Sequence, residues 1–346
     1  MSDLFTSVKN SLKSLDLERL FDFLEQSDVS DLIVTTDQPL KAKLIDGSFI
    51  IDESDECPTP ELIEKLSRKM IFNEKNRAIF KKTLHRVSAI RYSRIDAVTG
   101  FTFRVARPNV ANIELIEDIL KYPKTTLFVG KPGSGKTTYL RAIAQILSNV
   151  KHTVVVDKSN EIAGDSPSPH KCVGNATVMQ LPVGKRQGEI ITEAVENHNP
   201  DIVIVDEISD FQQAEAIREA CQKGIVVFAT MHGDSLKAIV RNPIALKLLG
   251  SFSHAAVGDK LMRSEGLNQK TVVEQIFPSA FERIVILKGF DDLEVIENVD
   301  EAIKNTLRGE TYFGEWRQSD EDGYKVLGSE KVLEQSYKQP KAKKTG

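Results

Sequence analysis

The run Gly130-Lys131-Pro132-Gly133-Ser134-Gly135-Lys136-Thr137 has the residue types and spacing to hold a chain of phosphates. Its glycines allow backbone N–H groups to turn inward around phosphate oxygens, and a helix starting at the end of the loop adds the positive end of its dipole. Lys136 would reach the β- and γ-phosphates, the Thr137 hydroxyl would hold the magnesium ion, and Thr138 beside it would join the ATP-binding set. A P-loop of this kind needs a strand before it and a helix after it. Thr125 to Val129 reads as a buried strand, and Tyr139 to Leu147 places Leu140, Ile143, Ala144 and Leu147 on one helical face. The implied ligand is a nucleoside triphosphate with magnesium.

A second motif, Ile202-Val203-Ile204-Val205-Asp206-Glu207, is an apolar strand ending in two carboxylates. It delivers them to the same sheet edge as the P-loop. Asp206 there orients the metal, usually through a water, and Glu207 polarises the water that attacks the γ-phosphate, which is general-base work. Thr153 to Asp157 reads as an inserted neighbouring strand, the mark of the RecA-like branch, in which catalytic glutamates sit on added strands. It continues as Lys158-Ser159-Asn160-Glu161 and brings Glu161 toward the same edge, where the alternative role is to cap or pair with nearby backbone. Thr230-Met231-His232-Gly233 follows a further strand, which makes His232 a candidate sensor of the γ-phosphate, with a structural role as the alternative.

These groups need a frame. The chain has 346 residues, room for about two domains. Hydrophobic residues at 40% suffice for cores, and a net charge of −4 gives no general attraction to nucleic acid or anionic membrane. The cysteines, Cys57, Cys172 and Cys221, lie far apart without a CxxC pair, against a disulfide framework or zinc site and in keeping with a reducing compartment. No leader-like start or membrane-length apolar run is seen, so no membrane insertion is expected and the expected location is cytoplasmic.

Residues 1–27 read as helical, Asp31 to Val34, Lys41 to Ile45 and Phe49 to Ile51 as strands, and Pro58 to Phe72 as a helix entered at Thr59-Pro60. His85 to Tyr92 and Phe101 to Ala106 read as strands joined by a loop containing Thr99-Gly100. Beyond Lys124, Val- and Ile-rich strands alternate with helices at Gln187 to His198 and Phe211 to Lys223, which argues for a parallel sheet. Ile284 to Leu287 and Leu293 to Ile296 read as an antiparallel hairpin at one edge, and Asp300 as the N-cap of a helix to Leu307. The expectation is therefore an α/β fold: a RecA-like parallel sheet with helices on both faces, preceded by a small α+β module. The boundaries are 1–108 for the N-terminal sensor-like module, 109–123 for a linker, 124–328 for the ATPase domain and 329–346 for a polar basic tail.

The order GKPGSGKT, VVVDKSNEI, NPDIVIVDEISD, ATMHGDS resembles the secretion and pilus-retraction ATPases, with their P-loop, acidic box, Glu-ending strand and Thr-x-His box. Val29-Ser30-Asp31-Leu32 with Asp46-Gly47 is similar to the strand pattern of that family's sensor-like N-terminal domain. A closer similarity is to the cyanobacterial and plastid P-loop ATPases of unassigned role and the related stage III sporulation AA ATPase. TLHRVSAIR (83–91), SNEIAGD (159–165) with Pro169-His170, EAVENHNPD (193–201), HGDSL (232–236), NPIALKLLG (242–250) and QKTVVEQ (269–275) carry it. Two departures stand out. Lys158 replaces an acid of the pilus-type acidic box, and no Arg and His three residues apart follow Leu287, the pair that marks a single-strand nucleic-acid-binding domain in many cyanobacterial relatives.

The resemblance implies ATP rather than GTP, a homo-oligomeric ring, expected to be a hexamer, and arginines reaching the neighbour's γ-phosphate from the N-terminal module. Phe101, Phe103 and Val105 alternate with Thr102, Arg104 and Ala106, so Arg104 points off the apolar face; Arg104, Arg107 and Arg91 are the candidates, each with a surface role as the alternative. The leading function is an ATPase motor or switch acting on an unidentified protein partner. A single-stranded nucleic-acid-stimulated ATPase and a nucleotide-gated scaffold with little turnover are the other two. For a plastid-encoded chain the location would be the stroma.

Overall fold

A computed structural model describes residues 2–73, 76–78, 84–93, 96–106, 111–164, 168–182, 184–256, 271–289, 291–320 and 323–332. The chain divides into two compact units, Met1–Asn109 with Ala163–Cys172, and Val110–Ile162 with Val173–Gly346. No helix among the described residues is long and apolar enough to cross a membrane.

The first unit runs α1 (Ser2–Lys13), α2 (Leu17–Gln26), β1 (Val29–Thr35), β2 (Lys41–Leu44), β3 (Phe49–Ile51), α3 (Pro60–Arg68), β4 (Arg77–Ala78), β5 (Arg86–Tyr92) and β6 (Ala97–Arg104). The strands form an antiparallel sheet in the order β3-β2-β1-β6-β5-β4. One sheet face and the helices share a core that includes Val8, Leu12, Leu20, Leu24, Leu32, Phe101 and Phe103. The helical run expected over 1–27 breaks in two, because Leu15 takes a left-handed backbone (φ 56) and the Asp16 side chain caps α2 by accepting from the Arg19 amide. Thr59 caps α3 with Pro60 in the first turn, as the sequence indicates. Thr99-Gly100, expected in a loop, lies inside β6. That glycine serves close approach: a Cβ there would stand 2.6 Å from the Val34 carbonyl oxygen of β1.

The second unit contains α4 (Glu117–Lys121), β7 (Thr126–Gly130), α5 (Lys136–Leu147), β8 (Thr153–Asp157), β9 (Thr177–Gln180), α6 (Gln187–Asn197), β10 (Ile202–Val205), α7 (Phe211–Gln222), β11 (Val226–His232), α8 (Leu236–Ile239) and α9 (Pro243–Leu248). It continues through β12 (Phe252–Ala256), β13 (Thr271–Gln275), β14 (Arg283–Gly289), β15 (Asp292–Ile296), α10 (Val299–Arg308), β16 (Tyr312–Asp320) and β17 (Gly323–Val332). The main sheet has the order β17-β16-β15-β14-β7-β11-β10-β8-β9. From β14 to β9 it is parallel; β14 to β17 pair antiparallel. Helices cover both faces: Leu127 and Val129 of β7 join the cluster containing Ile190 of α6 and Ile217 of α7, while Phe128 stacks on Tyr139 of α5 at 6.1 Å. Such double coverage explains why β7, β8 and β10 are buried along their whole length.

Four expectations change. The strand standing between the P-loop strand and the acid-bearing strand is β11; Thr153–Asp157 pairs on the far side of β10. The β14–β15 hairpin is not an edge, since β16 and β17 extend the sheet, and Ser329 to Val332, expected at the head of the tail, belong to β17; residues 333–346 lie outside the described set. Asn298, not Asp300, occupies the cap position of α10. Asp300 instead accepts from the Ser279 amide at 2.9 Å and from Gln275 Nε2 at 2.6 Å. Residues 109–123, expected as a linker, hold a 3-10 turn (Ile113–Ile116) and α4, and buried Arg317 of β16 clamps them with a bidentate pair to Asp118 (2.6 and 2.8 Å) and a bond to the Leu115 carbonyl at 2.8 Å.

Candidate active site

Parallel strands present their C-terminal ends at one sheet edge, and the chemistry-bearing residues follow from the strand order. The P-loop leaves β7, His232 ends β11 opposite Gly130, and Asp206-Glu207 leave β10. Gly133 (φ 80) and Gly135 (φ 98) adopt the left-handed backbone that turns the loop's amides inward before α5 begins at Lys136. Gly130 is constrained differently: a Cβ would lie 2.2 Å from the Ser134 hydroxyl, which folds back over it.

Lys136 is buried, and its ammonium donates to the carbonyls of Gly130 (2.7 Å) and Lys131 (2.9 Å). Burial lowers its pKa, opposed by the charges of Glu207 and Asp206. Its Nζ also lies 3.5 Å from His232 Nδ1, while His232 Nε2 lies 3.3 Å from Glu207 Oε1. An ammonium only donates, so Nδ1 accepts and the ring proton sits on Nε2, facing the Glu207 carboxylate. Lys136, His232 and Glu207 thus form one polar chain across the three strand ends.

Asp206 is buried deeper than Glu207. Burial pushes its pKa up; hydrogen bonds from Ser159 oppose this, and the nearby charges of Glu161 and Glu207 add to it. Its Oδ2, like Ser134 Oγ, is buried without a hydrogen-bond partner among the described residues. Orphaned oxygens at the two places where a phosphate and its metal would meet the loop fit a nucleotide with a divalent cation, and the half-buried Thr137 and Thr138 open the same helix.

The 206–209 segment is fastened from both sides. Thr230 Oγ1 donates a short bond to the Asp206 carbonyl, and the Ile208 amide donates to the Thr230 carbonyl at 2.9 Å. Thr230 is therefore a backbone clamp within the Thr-x-His box. Glu161 reaches the acidic cluster on a pinned loop: the buried Asp157 carboxylate accepts from the Glu161 and Ile162 amides (3.1 and 3.0 Å), and Arg141 of α5 donates to the Glu161 carbonyl at 2.6 Å. Lys158 donates to Ser209 Oγ at 3.0 Å.

In the first unit, Arg104 is paired with Asp31 at 3.0 Å across the β1–β6 register and is half exposed. Arg91 donates to Asn76 Oδ1 (2.7 Å) and to the Asp96 carbonyl (2.9 Å) and lies over the Phe72 ring. Arg107 lies outside the described residues. Sequence reasoning missed Ser159, Thr230 as a clamp, and the amides of Gln187 and Gln213; for Gln213 the signal was the Asp-x-x-Gln capping pattern at the start of α7.

One consequence concerns stability. A carboxyl with a raised folded-state pKa stabilises the fold below the ordinary carboxylate range, and that contribution is lost as pH rises through the folded value. Asp206→Asn should therefore melt a few degrees higher than the unsubstituted protein at pH 7 without nucleotide or metal, with the difference shrinking toward pH 4. Melting curves from pH 4 to 8 in a chelator check this, and an Asn variant no more stable at pH 7 would contradict it.

Comparison with known proteins adds to this geometry. Residues 67–261 match the family described as sporulation stage III, protein AA. The chain is 37% identical over 254 residues to the protein ycf45 of Porphyra purpurea, which covers 73% of this chain and 45% of that one. It is 34% identical over 279 residues to the protein SEEDLING PLASTID DEVELOPMENT 1 of Arabidopsis thaliana, covering 80% of this chain and 40% of that one. The chain thus spans less than half the length of these two relatives. Among solved structures, the pilus retraction motor PilT with bound ADP aligns with a TM-score of 0.52 at 16% identity, over 85% of this chain and 86% of that one. That likeness shows a shared α/β fold built on a parallel-rich sheet.

Proposed function

The chain belongs to the stage III sporulation protein AA family, and from there we propose that it binds and hydrolyses ATP with magnesium as a ring-forming motor or switch. The observation that carries this reading is the contiguous set Lys136, His232, Glu207 and Asp206 at neighbouring strand ends, beside the unpartnered Ser134 and Asp206 oxygens. Backbone N–H groups of Gly130 to Thr138, Pro132 excepted, and the Lys136 ammonium would hold the phosphates; Thr137 and Asp206 would hold the magnesium, which when bound would neutralise charge on the phosphate oxygens. Glu207 orients the attacking water and takes its proton, and the Nε2–H of His232, 3.3 Å from Oε1, aims that carboxylate. His232 also touches Lys136, so a change at the γ-phosphate would be felt at Glu207. Glu161 is a third carboxylate, whose charge reaches Asp206.

The ring reading makes the chain its own partner, as a hexamer with nucleotide between subunits, working on a further protein. One relative named for plastid development supports the stroma as the location of a plastid-encoded chain; for any other chain the proposed location is the cytoplasm. Arg104 would act in trans by exchanging Asp31 for the neighbour's γ-phosphate. Arg104→Ala subunits, inactive alone, should then regain activity when mixed with inactive Glu207→Gln subunits, through interfaces carrying both intact groups. Absence of recovery at every mixing ratio would remove Arg104 from catalysis.

A second reading, turnover stimulated by a single strand, is favoured by one surface feature. Phe211 and Phe277 are half exposed, with Lys247 (6.0 Å) and Arg218 (5.4 Å) over their rings, an aromatic and cationic pairing suited to bases and phosphates. Steady-state ATP hydrolysis with and without single-stranded DNA and RNA, with Glu207→Gln as contamination control, separates these readings. Strand-indifferent activity lost in the variant supports the protein-directed motor. Several-fold stimulation supports the second reading, and tight ATP binding without turnover leaves a nucleotide-gated scaffold.

A further inference from the structure

Two buried glutamines lie beside the acid-bearing strand. Gln187, the first residue of α6, is 1% exposed, and Gln213, in the first turn of α7, is fully buried. Amides in such surroundings are costly unless every polar atom is used. Gln213 Oε1 accepts from the amides of Ser209 (2.6 Å) and Asp210 (3.3 Å). Its Nε2 donates to Gln187 Oε1 at 2.9 Å. Gln187 Nε2 in turn donates to the Val156 carbonyl of β8 at 3.4 Å, the same carbonyl that accepts from the Asp206 amide at 3.4 Å.

These bonds close a loop. Starting at the Asp206 amide they run through Val156, Gln187 and Gln213 and return to the chain at Ser209, so both ends of Asp206-Glu207-Ile208-Ser209 are tied to one amide pair. Thr230 holds the opposite side of the segment. Close packing keeps the pair in place: a Cβ on Gly188 would lie 2.8–3.0 Å from atoms of Gln212, so α6 and α7 approach at the glutamines. A carboxylate in either place would lose a donor, and a lysine an acceptor; the amide supplies both from one side chain.

We propose that Gln187 and Gln213 are positioning residues that fix the backbone carrying Glu207, so that its carboxylate is aimed at the attacking water. This rests on the hydrolytic reading above. A base displaced by about 1 Å loses on the order of 10²-fold in rate, while the phosphate cradle, which neither glutamine touches, is unaffected. The pair therefore separates turnover from binding.

The test uses the full chain and the variants Gln213→Met, Gln187→Met and Gln213→Glu, with turnover and the affinity for a fluorescent ATP analogue both measured. Gln213→Met and Gln187→Met should lower kcat by about 10- to 100-fold with the analogue's Kd within about twofold of the unsubstituted protein. Gln213→Glu retains the acceptor for Ser209 and Asp210, so it should keep more turnover than Gln213→Met at equal folded fraction, measured by thermal melting. Loss of turnover and binding in parallel with folded fraction would reduce the pair to a structural role and overturn the proposal. If Glu207→Gln abolishes turnover but both Met variants keep it, the positioning claim alone falls. If Glu207→Gln itself turns over normally, the hydrolytic reading falls and takes this one with it.

Discussion

Lys136→Ala is expected to weaken ATP binding by about 10²–10³-fold and to remove measurable turnover while leaving the fold intact. The size follows from the environment: a charge-assisted contact in a desolvated site contributes about 3–4 kcal/mol when one partner is removed. Lys136 meets the condition, since burial lowers its pKa and the neighbouring Glu207 and Asp206 charges oppose that shift. Its ammonium already lies against the Gly130 and Lys131 carbonyls at the mouth of the loop, so little reorganisation separates that geometry from one facing phosphate. Stability is not expected to suffer much, because the substitution relieves a partly desolvated charge, which offsets the loss of the buried side-chain stem. Titration with a fluorescent ATP analogue beside a melting curve checks both parts. Retained micromolar binding would overturn the phosphate-cradle assignment, and a collapsed melting curve would overturn the claim that Lys136 serves the ligand rather than the fold.

The candidate site groups were legible because each follows a short apolar strand, and such strands announce themselves by composition. What could not be read was which strand stands beside which. In sequence Thr153–Asp157 lies nearer to Ile202–Val205 than Val226–His232 does to Thr126–Gly130, yet β11 enters between β7 and β10 and so brings His232 to both Lys136 and Glu207. Crossover order is set by packing between distant segments, not by local pattern. The same cause hid Gln187, whose partner Gln213 is 26 residues away. Glycine misled at Gly100, where it permits close approach of two strands rather than a turn. Polarity left the strand at Tyr312–Asp320 unread and put residues 329–332 in the tail. Tyr312-Phe313-Gly314-Glu315-Trp316-Arg317 alternates with charges, but Arg317 and Glu294 are buried because each has partners: Asp118 and Glu315 for the first, Tyr312 and Lys288 for the second. Asp300 likewise has the right type and place for a helix cap, and long-range donors at Gln275 and Ser279 claim it instead.

Glu207→Gln should bind ATP with near-unchanged affinity and lose about 10²–10⁴-fold in turnover, the range that general-base catalysis supplies. Glutamine keeps the shape and an acceptor oxygen at the place where Glu207 Oε1 faces His232 Nε2, so the polar chain to Lys136 survives as geometry. What disappears is the capacity to take a proton. The charge change has a sign that can be checked: Glu207 opposes the lowering of the Lys136 pKa and adds to the raising of the Asp206 pKa, so its loss should move both groups downward. A lower Asp206 pKa means a carboxylate more readily ionised for the metal, which is why binding should hold while hydrolysis stops. Single-turnover measurements, with nucleotide affinity taken on the same preparation, separate the two. Near-normal turnover would move the base to Glu161, the other carboxylate whose charge reaches Asp206, and Glu161→Gln would then have to show the loss that Glu207→Gln did not.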